Sequence, residues 1–204
     1  MKSVLLTGFE PFGGETINPS QLAVTNLDGC EMADHKIVAR TLPCVFGAAL
    51  DELRGYLKEF QPELVVCVGQ AGGRAEISLE RVAINVDDAP IPDNCGQIPL
   101  DSAVVEGAPA AYFSSLPIKS IVAALKSEGI AASVSNSAGT FVCNHVFYGL
   151  MHELRGSTAR GGFIHVPFCV EQVEDAEKSP TMSLETIEKA LLVAVEVALA
   201  LTGE

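Results

Sequence analysis

Residues 64–73 read LVVCVGQAGG, an apolar run of strand length, Leu64–Val68, closed at once by a turn rich in glycine. Such a run bounded by a turn reads as a buried strand. The same signal recurs along the chain, at Ser3–Thr7, Lys36–Leu42, Ser78–Val86, Ala132–Asn136 and Gly162–Val166. Helix-length amphipathic stretches alternate with these strands at Asn18–Asn26, Phe46–Phe60, Ile118–Glu128, Cys143–Glu153 and Ser183–Leu201. The alternation predicts an α/β sandwich around a mainly parallel sheet. Ser183, with Glu185 close behind, is a start signal for the last helix.

The chain of 204 residues is long enough to bury one substantial core and is read as a single domain, 1–204. A net charge of −13, with no run of Lys or Arg, argues against nucleic acid and anionic membrane surfaces as partners. The N-terminal apolar run, Val4–Leu6, is too short for the core of an export signal. Six cysteines without a CxxC pair then read as free thiols in a reducing cytoplasm. The apolar stretch Ala190–Leu201 is interrupted by Glu196 and falls short of the roughly 20 residues a bilayer requires. It is expected to be a buried or oligomer-facing helix. Between Asp87 and Pro117 lies a long stretch rich in Pro, Asp and Ala, of the kind that serves as a lid or binding loop.

Chemistry is suggested first by Cys143. The segment SNSAGTFVCNHVF reads as a strand end, a turn of small residues around Ala138–Gly139, and a helix opening near Cys143. A thiol there would feel the positive end of the helix dipole, which favours thiolate, and the same N–H groups could hold an oxyanion. The competing reading is a small buried hydrophobe. A nucleophilic cysteine needs a base, and the chain has four histidines. His145, two residues on, turns to roughly the opposite helix face, and His152 lies about 13 Å along the axis. His35 precedes a strand in a polar stretch. His165, in GGFIHVPF, falls at the carboxyl end of a strand, where ligand sites of open α/β sheets gather, and elimination favours it over a core histidine bonded to backbone. In ISLERVAIN, alternation sets Glu80 on one face with Ser78, Val82 and Ile84, where a carboxylate needs a partner. A histidine would satisfy it; otherwise Glu80 pairs with a surface Lys or Arg, or sits on an edge strand. Asp87 and Asp88 are rivals read as solvated turn residues.

Two further pieces surround this constellation. GQAGG, Gly69 to Gly73, lets backbone approach a ligand but lacks the P-loop lysine and the full dinucleotide fingerprint. VLLTGFEPFGG, Val4 to Gly14, places Phe9 and Phe12 on a turn, where two large rings need either core or ligand to cover them. Cys143 and His145 have no matching pair at zinc-ligand spacing, so no metal is expected.

Three motifs, TGFEPFGG with Asn18-Pro19-Ser20, GQAGGRAEISLERVAIN and SNSAGTFVCNH, resemble the pyroglutamyl-peptidase I (pyrrolidone-carboxylate peptidase) family of cysteine peptidases. GGFIHVPF and IPDN fit as well, in the expected order over most of the chain. The resemblance implies an α/β/α sandwich around a mixed, mostly parallel sheet, a Cys143, His165 and Glu80 triad, and no cofactor or metal. It implies N-terminally pyroglutamylated peptides as substrates and a homo-oligomer, often a tetramer. Phe9, Phe12, Ile91, Phe141 and Val142 would line the slot for the lactam ring, with Asn18 and Gln70 anchoring it. Two positions depart from the family: Pro90 stands where DDARIPDN has arginine, and Cys44 where threonine or another small residue is common. The rival expectations are another thiol-dependent hydrolase of small amides, and a non-catalytic small-molecule-binding protein built on the GQAGG turn.

Overall fold

The computed structural model describes residues 2–173 and 179–201. The first half contains β1 (Lys2–Phe9), α1 (Pro19–Asn26), β2 (Glu31–Met32), β3 (His35–Leu42), α2 (Ala48–Phe60), β4 (Leu64–Gln70), β5 (Ile77–Glu80) and β6 (Val82–Ile84). The second contains β7 (Ala111–Phe113), α3 (Ile118–Ser127), β8 (Ala132–Ser135), α4 (Val142–Glu153), β9 (Arg160–Val166), β10 (Phe168–Cys169), β11 (Thr181–Met182) and α5 (Leu184–Ala200). Seven strands form one sheet in the order β2-β3-β1-β4-β9-β5-β8. β3, β1, β4 and β9 are parallel, whereas β5 runs antiparallel to β9 and parallel to β8. The sheet is therefore mixed and mostly parallel, as expected.

Helices cover both faces. Val4, Leu6, Val66 and Ile164 point toward α1, α3 and α5, where Leu191, Ala194 and Val195 meet them. Their neighbours Leu5, Val65, Cys67 and Phe163 point the other way, against Leu50 and Leu53 of α2 and Val146 and Phe147 of α4. This is the period of two along each strand, with an apolar layer on either side, which is why β4 reads as an unbroken apolar run. The last helix begins where Ser183 accepts a hydrogen bond from the Thr186 N–H, 3.2 Å away. It spends its apolar face on this chain's own core.

The span Ser78–Val86 is not one strand. β5 ends at Glu80, and after Arg81 the chain leaves the sheet to pair as β6 with β7, antiparallel. Ser78 and Glu80 share a face of the main sheet, but Val82 and Ile84 belong to a separate hairpin. The long stretch after Asp87 accordingly holds one short strand, β7, and a single bridge between Asp87 and Ser102.

The end of β1 meets the start of α1 at closest range. Asn18 caps α1 by accepting the Ser20 N–H at 3.0 Å, and the Ser20 hydroxyl accepts the Phe9 N–H at 3.1 Å. At Gly8 an added Cβ would overlap the backbone carbonyl of Ser20 and sit 2.8 Å from the Gln21 nitrogen. Backbone on both sides leaves no rotamer to relieve the overlap. Gly8→Ala is expected to cost about 1–3 kcal/mol, seen as a lower urea midpoint at unchanged slope; an unmoved midpoint would show that the α1 start shifts freely.

Candidate active site

The antiparallel join between β9 and β5 brings a base and an acid together. His165 stands opposite Ser78, and Glu80 stands opposite Phe163. Glu80 and His165 are thus diagonal neighbours on one face of the sheet, a spacing long side chains can bridge. They do so, with His165 Nδ1 2.8 Å from Glu80 Oε1. Glu80 has no solvent exposure at all. A second donor reaches the same oxygen, the Arg74 guanidinium at 2.8 Å, whereas Oε2 has no hydrogen-bond partner. Both readings of Glu80 therefore hold at once, a histidine partner and an arginine partner. Arg74, from the glycine turn after β4, was not singled out in the sequence, although GGR places a cation one step beyond the turn.

Cys143 comes to this pair from the helix layer. α4 starts at Val142 with Phe141 as its N-cap, and no side chain caps it, so the first-turn N–H groups have no side-chain acceptor. Gly69 is the register partner of His165 on β4. A Cβ there would lie 2.8 Å from Cys143 Sγ and 2.8 Å from the Phe163 ring. The missing side chain at Gly69 is what admits the thiol to the sheet surface beside His165.

Burial sets the electrostatics. It pushes the Cys143 thiol well above its ordinary value, with Cys44, Glu80 and Cys67 adding to the rise and Arg74 opposing it. The helix dipole argument, which favours thiolate, is outweighed by the desolvation of this position. Burial likewise holds His165 below the ordinary histidine value, though Glu80 pulls it back up and Arg74 pushes it down. Burial would raise Glu80, but its hydrogen bond and charge interaction with His165, joined by smaller pulls from Ser135 and Arg74, bring it below the usual carboxylate value. The resting set is a neutral thiol, a neutral imidazole and an ionised carboxylate. A thiol in that state needs a base at the moment of attack.

The loops around the site are held by side chains bonding to backbone. Asp87, expected to be solvated, is only 6% exposed and lies 2.8 Å from His145 Nδ1. His145 Nε2 accepts the Gly47 N–H at 3.1 Å, so α4 grips the segment before α2 as well as the start of the long loop. Asp93 accepts the N–H groups of Phe46, Cys95 and Gln97, at 3.0, 2.9 and 2.8 Å. Glu10 accepts from the Cys44 N–H and the Asn94 amide, at 3.0 and 2.8 Å. None of these roles was read from the sequence. The IPDN segment held the only local sign, an Asp able to bond its own backbone two residues on.

Of the expected lining residues, Phe12 and Phe141 lie tilted to one another at 6.0 Å between ring centres, and Phe46 meets Phe141 edge-on at 5.4 Å. Both Phe12 and Phe141 keep partial exposure, and Ile91 is 42% exposed. Phe9 lies in the core beside Phe163, 6.3 Å between ring centres, and Val142 is fully enclosed. These two support the wall from behind and offer it no open surface. Asn18 is buried as the α1 cap and donates to the Glu10 carbonyl at 3.1 Å. Gln70 ends β4, its carbonyl oxygen accepting from Gln172 at 2.7 Å, which leaves its amide N–H groups free to donate. Pro90 is exposed and brings no guanidinium to the loop. No group of three His, Cys, Asp or Glu among the described residues is placed to hold a metal ion, and no helix among them is long and apolar enough to cross a membrane.

A family model described as pyroglutamyl peptidase matches residues 2–201. A pyrrolidone-carboxylate peptidase of Klebsiella pneumoniae is 58% identical over 200 residues, covering 98% of this chain and 94% of its own. The crystal structure of Bacillus amyloliquefaciens pyroglutamyl peptidase I superposes with a TM-score of 0.96 at 50% identity, covering 100% of both chains. A mutant pyrrolidone carboxyl peptidase of the hyperthermophile Pyrococcus furiosus superposes with a TM-score of 0.94 at 47% identity, over 97% of this chain and 98% of that one.

The buried thiols have a measurable consequence. Burial pushes Cys67 up to about 12, against a weak opposing bond from Thr7, and burial with the Glu10 and Asp93 charges pushes Cys44 up to about 12. Above the unfolded value of 9.0 the unfolded chain releases protons that the folded chain retains. Stability is therefore full below pH 9 and falls above it, by up to about 1.4 kcal/mol per pH unit for each thiol. Urea midpoints measured between pH 8 and 11 should show this fall, and Cys67→Ala should make it shallower; identical slopes in the two proteins would refute it.

Proposed function

The chain belongs to the pyroglutamyl peptidase family, and from that premise we propose that it is a cysteine exopeptidase removing N-terminal pyroglutamate through Cys143, His165 and Glu80. The observation that carries this reading is the placement of His165 between a fully buried carboxylate and the strand position, Gly69, against which the Cys143 thiol packs. With Nδ1 engaged by Glu80, Nε2 is the nitrogen left to take a proton.

His165 Nε2 accepts the Cys143 proton as Sγ attacks the pyroglutamyl carbonyl. The carbonyl oxygen gains the negative charge and is held by backbone N–H groups at the uncapped start of α4. His165, now imidazolium stabilised by Glu80, gives its proton to the leaving amine, and the C–N bond breaks. A pyroglutamyl thioester remains on Cys143. Water, deprotonated by His165, attacks it, and the C–S bond breaks to return the thiol and release pyroglutamate. Since thiol and imidazole both rest neutral, proton transfer accompanies attack.

The lactam is small, flat and uncharged, and the Phe12 and Phe141 rings with Ile91 give it apolar walls, backed by Phe9 and Val142. The free N–H groups of Gln70 are suited to a lactam oxygen, and Asn18 keeps the Glu10–Pro11 turn in place beneath Phe12. An N-terminal glutamate or glutamine would bring charge into this slot at a cost of several kcal/mol. The protein acts as a single catalytic domain, without cofactor, in the reducing cytoplasm, where its six free thiols persist. It works as a homo-oligomer, for which the exposed Ile98, Leu100 and Phe113 offer apolar surface.

Hydrolysis of a pyroglutamyl fluorogenic amide, beside the glutamyl and glutaminyl amides, tests the reading. The pyroglutamyl amide alone should turn over, and Cys143→Ala should abolish turnover while leaving the fold intact; an active Cys143→Ala protein would sink the mechanism. Gly69→Ala, which pushes a methyl group toward Sγ, should lower kcat about a hundredfold. An unchanged kcat would mean the thiol does not depend on that gap.

A further inference from the structure

Arg74 has no place in the mechanism above, yet it touches the group on which that mechanism depends. Its guanidinium lies 2.8 Å from Glu80 Oε1, the oxygen already bonded to His165 Nδ1, also at 2.8 Å. The other carboxylate oxygen, Oε2, is buried with no hydrogen-bond partner among the described residues. If Arg74 served only to neutralise a buried charge, the orphaned oxygen would be the better target. Converging on the shared oxygen instead makes the cation a competitor of the imidazole. Unlike Glu80 and His165, the Arg74 side chain is 34% exposed. It opens on a shallow cavity of about 340 Å³ lined by Ala75, Glu76, Ser78, Ser133 and Ser135.

We propose that Arg74 is a positioning residue for the reaction: from the solvent side it keeps Glu80 ionised, and by sharing the oxygen that His165 uses it restrains the carboxylate's pull on the imidazole. Too strong a pull would hold His165 as imidazolium and remove the base. The inference rests on the peptidase reading and adds a fourth side chain to it. The groups acting on His165 are Glu80 from β5 and Arg74 from the turn before β5. Those acting on Cys143 are Cys44, Glu80, Cys67 and again Arg74, which alone among them favours the thiolate. Removing the cation therefore moves both titrations the same way, making imidazolium and thiol each harder to deprotonate.

The test is the pH dependence of kcat/KM on a pyroglutamyl amide for the wild type, Arg74→Gln and Arg74→Lys. In Arg74→Gln both limbs should move alkaline by about half a unit to one unit, and Arg74→Lys should restore most of the wild-type profile. Because the guanidinium is partly exposed, high salt should carry the wild-type limbs in the same direction and leave those of Arg74→Gln nearly still. Limbs of Arg74→Gln that coincide with the wild type, whatever its rate, would overturn the proposal. If Arg74→Gln fails to fold, the salt series on the wild type decides, and limbs indifferent to salt count against it. Should the wild type not hydrolyse the amide, the peptidase reading fails. The His165 imidazole titration followed by NMR in wild type and Arg74→Lys, at low and high salt, then tests the Arg74 coupling by itself.

Discussion

An ionised carboxylate sealed from water is unstable unless donors are brought to it, and much of this molecule is arranged around meeting that demand at Glu80. Removing a charge from water costs several kcal/mol, recovered only when hydrogen bonds and opposite charge converge in good geometry. Two elements supply them. The antiparallel pairing of β9 with β5 sets His165 diagonal to Glu80. The turn after β4 delivers Arg74 to the same oxygen. Because the two strands run in opposite directions, the carboxyl end of β5 turns back along β9, and Glu80 stands opposite Phe163.

A second use of carboxylates appears in the loops. The chain holds 26 Asp and Glu residues, and several lie near the site without facing the reacting groups. Asp93 gathers three backbone N–H groups, Glu10 joins the Cys44 segment to Asn94, and Asp87 pairs with His145 of α4. A loop as long as 87–117 has little sheet or helix to satisfy its backbone, so side-chain acceptors take over that role. The rings of Phe12, Phe141 and Phe46 then rest on a frame tied down from below. The position of Pro90 becomes understandable in that light. It sits exposed between residues whose backbone is already fixed, where the Ala89 N–H bonds the Pro99 carbonyl at 2.9 Å.

What could be read from residues alone follows the range of the forces involved. The helices and the long strands were legible to within a residue or two because apolar periodicity is local, as at Leu64–Val68 inside β4 and Ile118–Glu128 over α3, whereas β2, β7, β10 and β11, of two or three residues, are too short to show a period. The strand at Ser78–Val86 was overextended. Alternation lapses at the two consecutive charged residues Glu80 and Arg81 and resumes with its apolar face exchanged, a local mark of the change of partner from β9 to β7 that the reading passed over. Glu80 and His165 could be picked out as residues in want of partners, but that they meet each other depends on pairing across 85 residues. Asp87 was misplaced in solvent since its partner, His145, lies 58 residues away. The thiol was judged by its helix, a local feature. The burial that opposes ionisation comes from strands and loops that no local pattern connects to it.

The order of strands in space also dictates when the site can exist. β9 lies between β4 and β5 in the sheet but is made long after both, so until it inserts, Glu80 has no histidine beside it and Gly69 no register partner. At synthesis rates of about 5–20 residues per second, the 85 residues separating Glu80 from His165 take several seconds to emerge. Through that interval the carboxylate of Glu80 is without its histidine partner. The contact between Glu80 and His165 can therefore form only after the chain has been made as far as this central strand.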